Sequence, residues 1–127
     1  MKTYNEFKSN TTIGGLFGKL FAARQQAHIL HLGTKSFAEH KALGKLYEDL
    51  NDLIDDLIET YQGQYGLVNI ETTSISTKNA LEFVAELATE CSECHSLFDK
   101  KDTHLHNIID EITALVYRVH YMVKFLK

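Results

Sequence analysis

The residues of this chain whose types and spacing could do chemistry are histidines and carboxylates. His28 and His31 stand one helical turn apart, His40 follows, and Asp55 and Glu59 form an i,i+4 pair whose carboxylates leave one side of a helix. Imidazole nitrogens with carboxylate oxygens suit iron, manganese or zinc, and the hard oxygen component favours iron or manganese over a structural zinc. A second constellation is Cys91-Ser92-Glu93-Cys94-His95, a literal C-x-x-C-H of the kind that attaches c-type haem. With His104 and His106, the same cysteines and His95 could also surround a zinc ion. Haem attachment normally follows export, and a full helix follows the motif here. Zinc has no support beyond the C-x-x-C spacing, and buried free cysteines pack as small apolar residues. Neither haem nor zinc is expected. Nucleophilic catalysis has no motif either: there is no G-x-S-x-G, P-loop or dinucleotide fingerprint.

The elements that must position these residues are helices. The chain has no proline, the main breaker of helix interiors. Apolar residues recur every three or four positions in four stretches. The first runs from about Thr12 to Leu32. The second starts behind Ser36 as N-cap and reaches about Tyr61, where Gly63 and Gly66 stop it. The third covers about Lys78 to Phe98, capped by Ser76 or Thr77, and the fourth follows Asp102 or Thr103 almost to the C-terminus. The connections are short, long, short. A link of about 15 residues can run the length of a bundle of ~30 Å helices, so the spacing predicts an all-α, ferritin-like four-helix bundle with one long crossover between helices 2 and 3.

That geometry sets a condition on any metal site. His40 and Asp55 lie fifteen residues apart on one helix, roughly 22 Å at ~1.5 Å per residue. They can share an ion only if two copies of the helix pack antiparallel about a two-fold axis. No E-x-x-H pair of the kind used inside single di-iron bundles is present. His31 reads as interfacial or structural. The acidic face of the second helix, including Glu48, Asp49, Asp52 and Asp56, reads as solvated surface, with attraction of cations as the functional alternative.

These residues carry a resemblance. The run Gln26-Ala27-His28-Ile29-Leu30-His31-Leu32-Gly33, then Phe37-Ala38-Glu39-His40, then Leu53-Ile54-Asp55-Asp56-Leu57-Ile58-Glu59 resembles the signature of Dps-type mini-ferritins over roughly residues 24–60. The resemblance implies His28, His40, Asp55 and Glu59 as iron ligands in a ferroxidase site shared across a two-fold dimer interface. It also implies oxidation of Fe(II) by hydrogen peroxide or oxygen, iron storage, and a homo-oligomer that is at least a dimer and up to a dodecamer. Gly44 stands where that family carries an acidic residue. The alternative is a non-enzymatic assembly or interaction module with a degenerate metal site.

Composition narrows the rest. The chain has 127 residues, a formal charge of −4, seven histidines and two cysteines. This length is that of one domain, residues 1–127. An acidic chain without a lysine-rich tail, its Lys2 and Lys8 set among Glu6 and neutral residues, is not expected to bind DNA, which needs basic side chains to displace phosphate counterions. No apolar run approaches the ~20 residues that span a bilayer, and Met1–Glu6 shows no apolar signal segment. A cytoplasmic protein without membrane contact is the expectation.

Overall fold

Helix α1 spans Ile13–Gly33, α2 Phe37–Tyr65, α3 Ala80–Glu93 and α4 Thr103–Phe125, with a 3-10 turn at Cys94–Leu97. These come from a computed structural model that describes residues 12–75 and 78–127. Lys2, Lys8 and the expected caps Ser76 and Thr77 lie outside the described residues. No strand occurs among the described residues.

Side-chain oxygens cap the starts of three helices and so satisfy backbone N–H groups that have no partner within the helix. Thr12 accepts from the Gly15 N–H, Ser36 from Glu39 and Asn79 from Glu82. The end of α2 departs from the sequence expectation. Gly63 sits inside the helix with open space around it, and the helix continues to Tyr65. Gly66 ends it, at a φ of +96° that L side chains rarely adopt. The third helix is also shorter than expected, because Asn79 caps it and its last turn tightens at Cys94.

The helices pack in the order α1, α2, α4, α3, with α1 also touching α3. Ring contacts fix the directions. Phe17 of α1 meets Tyr61 of α2 edge-on at 5.8 Å, and Tyr61 meets Phe98, just past α3, at 5.8 Å. The start of α1, the end of α2 and the α3–α4 turn therefore share one end of the bundle. It follows that α2 and α3 run parallel, and that the connection leaving Gly66 leads to the opposite end of the bundle before α3 begins. Gly14 and Gly18 make that crossing possible. A Cβ at Gly14 would lie 2.1 Å from the Asn69 carbonyl oxygen, and one at Gly18 1.6 Å from that of Glu71. The Glu71 N–H also donates to the Gly14 carbonyl at 3.1 Å.

The core is the set of inward stripes. Leu43, Leu46, Leu50, Ile54 and Leu57 of α2 are fully buried, as are Leu105, Ile109, Ile112, Leu115 and Val116 of α4. Spacings of three and four keep each stripe on one helix face. No helix among the described residues is long and apolar enough to cross a membrane.

Candidate functional site

The α1–α2 hairpin turns within residues 34–36, which brings the last turn of α1 against the first turns of α2. His31 and His40 meet there. Their rings stack with centroids 3.7 Å apart and 17° between planes. His31 Nδ1 lies 2.5 Å from the His40 carbonyl oxygen, and His40 Nδ1 lies 2.8 Å from the His31 carbonyl oxygen. A carbonyl can only accept, so both Nδ1 atoms carry the hydrogen and donate it. The His31 carbonyl is one of the four at the end of α1 with no intrahelical partner, and His40 supplies one. In their neutral forms both rings then present Nε2 as a lone pair, and neither Nε2 has a hydrogen-bond partner among the described residues.

Three neighbours complete the arrangement. Gly44 lies under His31; a Cβ there would be 3.0 Å from His31 Cε1, tighter than ordinary contact. Tyr47 meets the His31 ring edge-on at 5.3 Å and stacks on His28 at 4.1 Å. The two histidines face an open cleft of about 310 Å³, lined also by Lys41, Gly44, Lys45, Glu48 and Asp49. Lys45 is engaged with Asp49 at 3.0 Å, and Lys41 lies 5.6 Å from the centre of the Phe37 ring.

Of the four ligand residues expected from sequence, one chain does not bring the carboxylates to the histidines. His28 stacks on Tyr47 and His40 pairs with His31, whereas Asp55 and Glu59 are exposed farther along α2. No group of three or more potential ligands lies together among the described residues. The sequence reading of His31 as interfacial or structural agrees with its place between α1 and α2, but did not pair it with His40. The available signal was its position: His31 and His40 lie almost equally far from the centre of a tight turn, which places them opposite each other on antiparallel helices.

A second histidine pair sits at the other end of the bundle. His95 Nδ1 and His106 Nδ1 are 2.6 Å apart, with ring planes 8° from parallel and centroids 4.9 Å apart. His95 Nε2 lies 3.0 Å from Asp110 Oδ1, and His106 Nε2 lies 2.9 Å from the Asp99 carbonyl oxygen. The adjacent cysteines face different surroundings. Cys91 and Cys94 are buried and free, and Cys94 Sγ donates to the Cys91 carbonyl at 3.2 Å. Burial pushes both thiols up, Cys94 to about 12, which keeps them as thiols rather than the thiolates that bind metals. The C-x-x-C-H run is thus two core cysteines followed by a histidine committed to α4.

Beside this pair, Asp102 is buried at the start of α4 and makes no side-chain cap. Its carboxylate accepts from Gln64 Nε2 at 2.8 Å and from the Tyr65 hydroxyl. Those two bonds hold its carboxyl below the usual aspartate range. Hydrogen bonding to the same carboxylate pushes Tyr65 up to about 12. His104 Nε2 reaches Gln64 Oε1 at 2.7 Å. These bonds tie the end of α2 to the start of α4.

Comparison with known proteins identifies relatives of a different kind from those the sequence suggested. The sequence model of a family of unknown function, DUF5856, matches residues 31–123. A protein of Enterobacteria phage T4, described as an uncharacterized 14.6 kDa protein in the mobD-ri intergenic region, is 29% identical over 105 residues, or 83% of this chain and 82% of the relative. No solved structure matches. The resemblance to Dps-type mini-ferritins is therefore corrected: neither match carries any mark of that family. The physical reason is the helix period. Two amphipathic helices joined by a short turn place polar residues at multiples of three and four, so four ligand types at such spacings arise without common descent. Gly44, out of place in that signature, is here the space under the His31 ring.

Proposed function

We propose that this chain, which belongs to the DUF5856 family, binds a divalent transition-metal ion through His31 and His40. The observation that carries this reading is the reciprocal pair of Nδ1–H bonds to backbone carbonyls, which leaves both Nε2 atoms without a protein partner beside an open cleft. Metal-binding histidines almost always donate their other ring N–H in this way, which fixes tautomer and orientation before the ion arrives. Imidazole ligands suit iron, zinc, copper and nickel. Two histidines leave positions open for water, for the cleft carboxylate of Glu48, or for side chains of a second copy. A homodimer that brings His28, Asp55 and Glu59 of a partner chain to the cleft would extend the ligand set toward iron. The two free buried thiols suit a reducing compartment, and the reading places the protein in the cytoplasm.

Calorimetric titration of metal-free protein with Zn(II), and anaerobically with Fe(II), tests the proposal. Saturable binding of one ion per chain or per dimer is expected, weakened tenfold or more in His31→Ala and in His40→Ala and unchanged in His106→Ala. Binding that survives in the His31→Ala/His40→Ala double variant would overturn it, as would the absence of saturable binding.

A further inference from the structure

The contacts of the second histidine pair limit where its protons can lie. His106 Nε2 faces a backbone carbonyl and His95 Nε2 faces a carboxylate; both partners accept, so both Nε2 atoms carry hydrogen. Between the rings, two Nδ1 atoms face each other at 2.6 Å in nearly parallel planes. Centroids 4.9 Å apart at that N···N distance place the rings side by side, with the nitrogens meeting edge to edge. One hydrogen must lie between them. With none, two lone pairs would face each other, and with two, a pair of N–H groups would collide. These contacts accommodate three protons on the four nitrogens, a count that amounts to one net positive charge opposite the Asp110 carboxylate.

We infer that His95 and His106 form a proton-bridged clasp that ties the 3-10 turn after α3 to α4, closed only while the pair carries exactly one shared proton. Adding a proton or removing the shared one opens it. The clasp spans residues 98–102, whose backbone it helps hold: Phe98 N–H donates to the His95 carbonyl at 3.1 Å and Asp102 N–H to that of Asp99 at 3.0 Å. Opening at either extreme of pH frees this turn, along with the end of the core at Phe98, whose ring packs against both Tyr61 and His106.

The charged and titratable groups around the pair come from each packed element. His104 and Asp110 belong to α4, Asp102 immediately precedes it, and Asp99, Lys100 and Lys101 belong to the turn. Glu93 closes α3, and Tyr61 and Tyr65 reach in from α2. Of these, Asp110 alone has a side chain bonded to one of the two rings. The Asp102 carboxylate is occupied by Tyr65 and Gln64, and that of Asp99 accepts from the Lys101 N–H at 2.8 Å. Coupled groups of this kind take up protons in macroscopic steps that belong to the pair rather than to either ring.

Histidine-ring nitrogen and proton NMR of the ¹⁵N-labelled full chain, followed from acid to alkaline pH, tests the clasp. A strongly deshielded ring proton is expected over an intermediate range of pH and absent on both sides of it. Amide protection at Phe98 and Asp102, relative to Ile109 in mid-helix, should rise and fall with it. His106→Ala should remove the resonance and the bell-shaped protection while the other helices keep theirs. Asp110→Asn retains an acceptor oxygen without the charge and should make the resonance vanish at lower pH on the alkaline side. Independent titration of the two rings would overturn the inference, as would a protection profile unaltered in His106→Ala.

Discussion

His31 with His40 and His95 with His106 are two histidine pairs made of the same side chains and bonded in opposite ways. In the first pair each ring spends one nitrogen on a backbone carbonyl and leaves the other free beside a cleft. In the second pair all four nitrogens are engaged, two of them with each other. The first has spare lone pairs and can accept an ion; the second has none and can only gain or lose a proton. The neighbours explain the difference. The first pair joins antiparallel helices across a tight hairpin, where a helix-end carbonyl needs a donor and Gly44 leaves room for a stacked ring. The second lies across a 3-10 turn, where acceptors from Asp99 and Asp110 flank both rings. Residue type therefore says little about a histidine until the partner of each nitrogen is known.

The largest effect expected from breaking this contrast is at Gly44. A Cβ there would press on His31 from 3.0 Å and displace its ring. Gly44→Ala should weaken metal binding about tenfold, the scale seen when the orientation of a ligand is disturbed. The same change gains helix propensity of up to about 1 kcal/mol, so stability measured by urea unfolding should hold or rise while affinity falls. Unchanged affinity would show that stacking over Gly44 does not preorganise the site. His106→Ala should have the reverse signature. Metal affinity should stay within about twofold, whereas one lost hydrogen bond to a charged partner costs about 1.5–3 kcal/mol and lowers Tm by several degrees in calorimetry.

The two pairs also differ in how far the sequence announced them. The α2 and α4 stripes were legible because Leu46, Leu50, Ile54 and Leu57, and likewise Leu105, Ile112, Leu115 and Val116, repeat at the helix period, and their burial follows from it. The crossover was legible from the length between the helix expected to end near Tyr61 and the one expected to start near Lys78. Gly63 misled because an exposed glycine costs a long helix only about 1 kcal/mol, which the packing of α2 outweighs. Site residues were harder, since their meaning depends on neighbours from other elements. The stack of His31 on His40 requires the turn geometry, and the role of Gly44 requires both helices at once. Periodicity put His28, His40, Asp55 and Glu59 on shared faces, but it could not say which ring nitrogen was already taken.

A smaller effect comes from the carboxylate that joins α2 to α4 beside the second pair. Asp102 is held below the usual aspartate range by the Tyr65 hydroxyl and Gln64, so the folded state releases its proton at lower pH than the unfolded one. Its stabilisation is present above the ordinary aspartate range and is lost as the pH falls through the lowered value. Tyr65 has the opposite sign. Raised from 10.0 to about 12, its contribution is complete below pH 10 and is lost as the pH rises through about 12. Urea unfolding across pH should therefore show a shallower acid slope in Asp102→Asn and a shallower alkaline slope in Tyr65→Phe. Slopes matching the parent chain would remove this tie from the account and leave the histidine clasp as the main pH-dependent element at that end.

The smallest effect is expected at the two carboxylates that sequence spacing had grouped with the histidines. Asp55 and Glu59 are exposed on α2, and His40 is fifteen residues away from Asp55 along the same helix, roughly 22 Å at ~1.5 Å per residue. A metal held by one chain alone cannot feel either as a ligand. At that distance their charges act through solvent beyond the ~8–10 Å screening length of physiological salt. Asp55→Asn and Glu59→Gln should each leave the Zn(II) affinity of His31 and His40 within about twofold. A loss of tenfold or more in either variant, appearing only at protein concentrations where sedimentation shows a dimer, would mean that a second copy brings its carboxylates to the cleft. The first pair would then be half of a site completed by assembly, and its contrast with the self-contained second pair would be sharper still.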